Sequence, residues 1–377
     1  PAACCPETKE AVTARKLSLS TRPQSSDRLD RRGLLHRAGR LALVAAGLGL
    51  AVRTRLAAAL EVIFFRIGTG STVGTYFPIG GALATAISNP PGSPACDDGG
   101  SCGAPGVIAV VHSTKGSVEN VEGLASGALE SGLSQADVAY WAYHGEGPFA
   151  GKPPMRNLRA IANLYPEMVQ LVVRVDSGIR RASDLKGKRI SLNQKGSGTY
   201  VDALIILEAW GFTLADIVAE TLSTEDAADK MRLGDLDGFF LVAGTPTPSI
   251  SDLAQETQLR LVPLDGDKAK ALRNRYPFFA AQFLQAGTYQ AVGGVQTLAV
   301  GAQWLVRAEE PEELIYQITK ALWHKNSRQI LDRGHVKGRQ IRFSSALFGL
   351  GVPLHPGARR YYEERGVTVV EDEPLAN

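Results

Sequence analysis

The stretch Arg66-Ile-Gly-Thr-Gly-Ser-Thr-Val-Gly-Thr-Tyr-Phe-Pro-Ile-Gly-Gly81 follows a short apolar run, Val62-Ile-Phe-Phe65. The run reads as a buried strand. After the stretch, Ile79, Leu83 and Ile87 recur every four residues, which places them on one helical face. Pro78 suits the first turn of that helix, where a missing N–H costs nothing. Between strand and helix lie Gly68, Gly70 and Gly74, mixed with Thr69, Ser71, Thr72 and Thr75. Such a loop exposes backbone N–H groups and hydroxyls at the positive end of a helix dipole, which suits an anionic or polar ligand. No Gly-Lys-Ser/Thr follows, so it is not a phosphate-binding Walker loop, and its spacing does not fit a dinucleotide fingerprint.

Working outward, strands and helices alternate. Val107–Val111 is a strand that opens into His112-Ser-Thr-Lys-Gly-Ser-Val-Glu-Asn120, with Ser117 in place to cap a helix. A weaker strand over 128–134 leads to Gln135-Ala-Asp137 and a short helix ending at His144. Two apolar runs, Leu158–Tyr165 and Met168–Val175, have almost no helix between them, and the chain is expected to cross there into a second domain. Asn193-Gln-Lys-Gly-Ser-Gly-Thr-Tyr200 then repeats the opening device ahead of a helix over 201–210. A helix over 226–233, a strand over 236–242, the polar turn Ala243-Gly-Thr-Pro-Thr-Pro-Ser249 and a strand over 259–264 follow. Beyond them come a strand over 297–301, a helix over 311–324 with Leu314, Ile318 and Leu322 as its core stripe, and a last helix after Leu354-His-Pro-Gly-Ala358. This alternation argues α/β with a largely parallel sheet, and in open α/β sheets ligands gather at the carboxyl ends of the strands.

The chain has 377 residues, 44% hydrophobic, which is enough for two modest domains or one large one. The net charge is +3, and much of the basic surplus sits in the first 60 residues, so the body offers no bulk charge to nucleic acid. Residues 1–28 are polar and aperiodic. Asp30-Arg31-Arg32-Gly33-Leu34-Leu35-His36 then precedes the apolar run 41–51, which resembles a twin-arginine export signal, and Ala57-Ala58-Ala59 offers small residues for cleavage. Residues 1–59 are thus expected to be a disordered leader, either cleaved near Ala59 or retained as an anchor, and the remainder to be a soluble periplasmic monomer. Cys96 and Cys102, with five residues between them in a Gly/Pro-rich insert, admit two readings: a disulfide in an oxidising compartment, or two free thiols.

Together these motifs resemble one family, the TAXI-type solute receptors of tripartite ATP-independent periplasmic (TRAP) transporters. The marks are Ile67-Gly-Thr-Gly70 with Tyr76 and Pro78 after it, Gly116-Ser-Val-Glu-Asn120, Gln135-Ala-Asp137, Gly196-Ser-Gly-Thr199, Val242-Ala-Gly-Thr-Pro246 and Leu354-His-Pro-Gly-Ala358. Their order and spacing span nearly all of 62–366. The resemblance implies a two-lobe periplasmic-binding-protein fold, type II-like, hinged between α/β lobes. The lobes are expected to comprise 60–167 plus 265–377 and 168–264. It further implies delivery of a small carboxylate or amino acid, such as glutamate, to a TRAP permease driven by an ion gradient, with no cofactor.

One anionic or zwitterionic ligand is therefore expected between two opposed clusters. The first lobe supplies Thr69, Gly70, Ser71, Gly74 and Tyr76, with Ser117, Asn120 and Gln135 alongside. The second supplies Ser197, Gly198, Thr199, the backbone near Gly244, and Pro246. Glu119 and Asp137 either cap helices or accept a ligand amine. An enzyme is the first rival, but Gly-Ser-Gly at 196–198 lacks the nucleophile-elbow pattern, and the six histidines fall near no plausible nucleophile. A ligand-sensing module for a signalling partner is the second, since fold does not fix function.

Overall fold

The computed structural model describes residues 62–369. The twin arginines, the apolar run after them and Ala57–Ala59 lie outside these residues. Strand β1 (Ile63–Gly68) buries Phe65 and Ile67 and turns Phe64 outward, the period-two signature of a pleated strand. Helix α1 (Tyr76–Ile87) buries Ile79, Leu83 and Ile87 as their spacing predicts. Strand β2 (Val107–His112) and helix α2 (Ser117–Ser126) follow, then β3 (Ser131–Gln135) and α3 (Ala136–His144). Arg66 holds Glu130 through backbone and side chain, both at 2.8 Å, which accounts for an acidic residue at the head of a buried strand.

The two apolar runs expected as separate segments are one strand, β4 (Leu158–Arg174), of 17 residues. At roughly 3.3 Å per residue it is more than 50 Å long, enough to run through two packed bodies. On the far side of it lie β5 (Arg189–Ser191), α4 (Gly198–Trp210), β6 (Val218–Glu220), α5 (Thr224–Leu233), β7 (Gly238–Ala243), α6 (Pro248–Glu256) and β8 (Leu259–Val262). Helix α7 (Gly266–Arg275) and β9 (Ala280–Leu284) lead into β10 (Val295–Arg307), a second long strand. Helices α8 (Glu312–Leu322), α9 (Lys325–Gly334) and α10 (Pro356–Glu364) complete the chain. In α8 the buried residues include Ile315, Ile318, Thr319 and Leu322, while Leu314 is half-buried. Ile318 and Leu322 of the expected stripe are thus in the core and Leu314 packs at its edge, while Ile315 and Thr319 widen the buried face.

All ten of these strands belong to one mixed sheet in the order β2-β1-β3-β10-β4-β7-β5-β6, with β8 on β4 and β9 on β10. The first three strands are parallel to one another, and β5, β6 and β7 are parallel on the other side. Between them β4 and β10 run antiparallel, from Leu158 opposite Arg307 to Met168 opposite Ala299. One core gathers Phe65, Leu83, Leu133, Ile161, Trp304, Ile318 and Tyr362. A second gathers Leu171, Ile190, Ile206, Phe240, Leu264, Leu272 and Val300, and a third, on the opposite face of that half-sheet, gathers Val172, Met231, Phe239, Ile250 and Tyr289. Each fully buried Leu, Ile or Phe in them contributes on the order of 1.5–3 kcal/mol. The cores beyond Met168 continue past Leu264 to Val300, so α7, β9 and the first part of β10 pack with them.

Cys96 and Cys102 are joined as a disulfide in the insert after α1. No helix among the described residues is long and apolar enough to cross a membrane.

Candidate functional site

The carboxyl ends of β1, β2 and β3 face those of β5, β6 and β7 across a cavity of about 420 Å³. One wall is built from the β1–α1, β2–α2 and β3–α3 junctions: Gly70, Ser71, Thr72, Gly74, Thr75, Tyr76, Ser113 to Ser117 and Gln135. The other is built from Asn193, Gln194, Ser197 to Thr199, Ser223 to Asp226 and the end of β7. Glu167, from the middle of β4, forms part of the floor.

The walls touch. Ser71 Oγ donates to Glu225 Oε1 at 2.6 Å, and Glu119 N donates to the carbonyl of Gly196 at 3.0 Å. Gln135 Nε2 donates to Asp202 Oδ2 at 3.0 Å, and Thr75 Oγ1 to the carbonyl of Gly244 at 2.9 Å. Gly116, at φ 118°, is in a region that side chains rarely adopt, and it brings the start of α2 against Ser197. A Cβ on Gly198 would fall 1.4 Å from Gln135 Oε1 and 2.8 Å from Ser117 Oγ, so the close approach of the walls needs glycine there.

Of the residues expected to bind, Gly70, Ser71, Gly74, Tyr76, Ser117, Gln135, Ser197, Gly198 and Thr199 line the cavity. Several of their hydroxyls are already engaged. Ser197 Oγ accepts from Tyr200 N at 3.1 Å and donates to the Gln194 carbonyl at 2.8 Å, capping α4. Thr199 Oγ1 accepts from Val242 N at 3.0 Å, and Ser117 Oγ from Gln135 N at 3.1 Å. The other expected residues lie outside the lining. Thr69 is buried beneath the loop with its hydroxyl on the His112 carbonyl at 2.7 Å. Asn120 ties the Thr69 and Leu133 carbonyls together at 2.6 and 2.7 Å. Glu119 accepts from Lys115 N at 2.9 Å, within its own turn. Gly244 is wedged among Thr75, Tyr165 and Lys337, and Pro246 follows it at a cis peptide.

Asp137 and Asp202 meet behind Gln135, both fully buried. Neither oxygen of Asp137, nor Oδ1 of Asp202, has a hydrogen-bond partner among the described residues. Burial raises both carboxyls, and the neighbouring Asp137 raises Asp202 further.

Glu167 is the residue that sequence reasoning missed. It lies between two apolar runs, where its neighbour Pro166 suggests a turn, and no local signal marks it. It is 2% exposed, and Tyr76 Oη donates to its Oε2 at 2.6 Å. Burial pushes its carboxyl up to about 8, opposed by the Tyr76 hydrogen bond and reinforced by Asp137, while Lys337 pulls it down. Lys337 is itself buried, which lowers its ammonium, and it donates to Gln340 Oε1 at 3.2 Å. Asn193 was also missed: at φ 73° it bonds Thr224 Oγ1 at 3.1 Å and binds two loops of the second wall. An asparagine closing a strand before a glycine-rich loop is a signal for it, since asparagine tolerates left-handed backbone.

A two-lobe, type II-like α/β fold with a polar cleft between its halves is therefore in hand. The chain belongs to the NMT1-like family, which it matches over residues 67–366. Among solved structures it is similar to the alkanesulfonate-binding protein SsuA of Xanthomonas axonopodis pv. citri bound to MOPS, at 19% identity and TM-score 0.41, over 81% of this chain and 85% of that one. It is similar also to the periplasmic aliphatic sulphonate binding protein SsuA of Escherichia coli, at 16% identity and TM-score 0.38, over 80% and 82%. A third is CbnR, a LysR family transcriptional regulator, at 15% identity and TM-score 0.40, over 78% and 80%. Binding proteins and regulators both stand among these likenesses, which assign no ligand.

Proposed function

We propose that this chain is an extracytoplasmic solute receptor of the TAXI type, which captures a small anionic or zwitterionic solute, a carboxylate or an amino acid such as glutamate, and delivers it to a TRAP permease. The observation that carries the reading is the cavity of about 420 Å³ between two walls of helix N-termini, within the range of small-molecule sites. Chemistry in the cleft is not required by this role: the receptor closes, carries and releases its ligand unchanged. The lobes part within β4 near Met168 and within β10 near Val300, a division supported by the separate cores on either side. Two long strands crossing side by side supply a hinge that bends without breaking either half-sheet. The exported chain acts as a monomer in the periplasm.

A thermal-shift screen of the full chain against dicarboxylates, amino acids and 2-oxo acids tests the reading, since a ligand that binds only the folded state raises the apparent melting temperature. A shift for one chemical class, with the ligand recovered unchanged, is the expected result. A flat response to all three classes, or turnover of one, overturns it.

A further inference from the structure

The acidic and basic residues lining the cleft are Lys115, Glu167, Glu225 and Asp226, three carboxyl groups to one amine, with no arginine among the described residues of the lining. Glu225 is held by Ser71 across the cleft, and Asp226 is on the exposed start of α5. Glu167 differs from both. It is buried in the floor, Tyr76 holds its Oε2, and its Oε1 accepts no hydrogen bond among the described residues. Unlike the oxygens of Asp137, Glu167 Oε1 is not sealed off, so it opens on the cavity, where a donor on a ligand can meet it.

On the solute-receptor reading, we infer that Glu167 is a cation seat: the cleft takes a solute carrying an ammonium group, which meets Glu167 Oε1, in preference to an anion of the same carbon skeleton. The helix N-termini of α1 and α4 then face the solute's carboxylate, so the two ends of a zwitterion are read by opposite chemistry. A dicarboxylate without an amine brings no cation to Glu167, and once Glu167 has lost its proton it meets a floor of its own sign. Burial keeps a proton on Glu167 in the empty cleft through neutral pH, and an incoming ammonium displaces that proton to solvent. The groups facing Glu167 are Tyr76 and Tyr165, the Asp137 and Asp202 pair, and Lys337. Each is present whichever ligand is bound, so a comparison of two ligands cancels their titration.

The test uses matched pairs: each amino acid against its 2-oxo acid, glutamate against 2-oxoglutarate first, with the full chain in a titration calorimeter. The amino acid of a pair is expected to bind at least about tenfold more tightly, with close to one proton released to buffer at neutral pH. Glu167→Gln keeps the Tyr76 contact and is expected to narrow the preference to within about threefold. In the unmodified chain the preference is also expected to widen as the pH rises past about 8, a readout that does not need the variant to fold. Equal or tighter binding of the 2-oxo acid, or a preference that survives Glu167→Gln unchanged, overturns the cation seat while leaving the receptor reading standing. Binding of neither class overturns both.

Discussion

Glu167 holds its proton up to about 8 where an exposed glutamate would have lost it. Between the ordinary carboxylate range and that value the native state binds a proton that the unfolded chain has released. Stability contributed by the neutral form is therefore complete at acid pH and lost as the pH rises through the window, by about 1.4 kcal/mol for each tenfold drop in proton concentration. The buried Asp137 and Asp202 carboxyls act in the same sense. Melting temperature followed from about pH 5 to about pH 8 is expected to fall more gently in Glu167→Gln than in the unmodified chain, and parallel curves would contradict the assignment. Ser197 and Thr199 call for a different experiment. Their hydroxyls bond α4 and the end of β7, so Ser197→Ala is expected to lower stability by about 1 kcal/mol as a lost helix cap. Thr199→Ala leaves the buried Val242 N–H unpaired, at about 1–3 kcal/mol. Denaturant unfolding checks both, and unchanged midpoints would return the hydroxyls to the ligand. Sequence composition pointed to loops that line the cavity because glycine and hydroxyl residues mark helix entries. It could not say whether a given hydroxyl turns toward its own backbone or toward a ligand, because both uses favour the same residues.

The elements carry the next level of specificity. Strand β4 was legible only in halves: Pro166 breaks its pattern at sequence level, yet the residue sits in register opposite Gly301 and the strand continues. A proline in a central strand is disfavoured because it donates no ladder hydrogen bond, and reading it as a boundary hid both the unbroken crossing and Glu167 beside it. The second crossing strand was likewise legible over 297–301 alone, whereas β10 runs from Val295 to Arg307. The start of α4 is the element on which closure depends. Gly198→Val adds bulk where the walls already touch Gln135 and Ser117, so it is expected to weaken any ligand found in the screen by more than tenfold, on the order of 1.4 kcal/mol, while a cooperative melting transition survives. Unchanged affinity would mean that the walls need not meet to bind. In the insert after α1, the disulfide closes a loop of sequence separation 6. Cys96→Ser with Cys102→Ser is accordingly expected to cost about 2 kcal/mol, and alkylation of two free thiols in exported material would remove the bond from the account.

At the scale of the whole molecule, the same cleft that admits a ligand also holds a charge problem. Asp137 lies in the first turn of α3 and Asp202 on α4, and the two carboxyls meet in a buried space where Gln135 holds Asp202. A proton on either carboxyl would turn two like charges into a donor and an acceptor, and in that state the pair draws the lobes together. Ionisation of both leaves two buried carboxylates facing each other between the walls, with three of their oxygens short of partners among the described residues. The least costly escape is to rotate the lobes about β4 and β10 and let water in, since those two strands cross between the cores without belonging to one alone. Small-angle scattering of the ligand-free chain is therefore expected to show a radius of gyration that grows as the pH is raised from neutral into the alkaline range. Asp202→Asn removes the second charge but keeps an amide to bond Asp137, so its radius should stay flat over the same range. An equal expansion in the variant would locate the opening elsewhere, with Lys337 and Glu167 as the groups left to account for it.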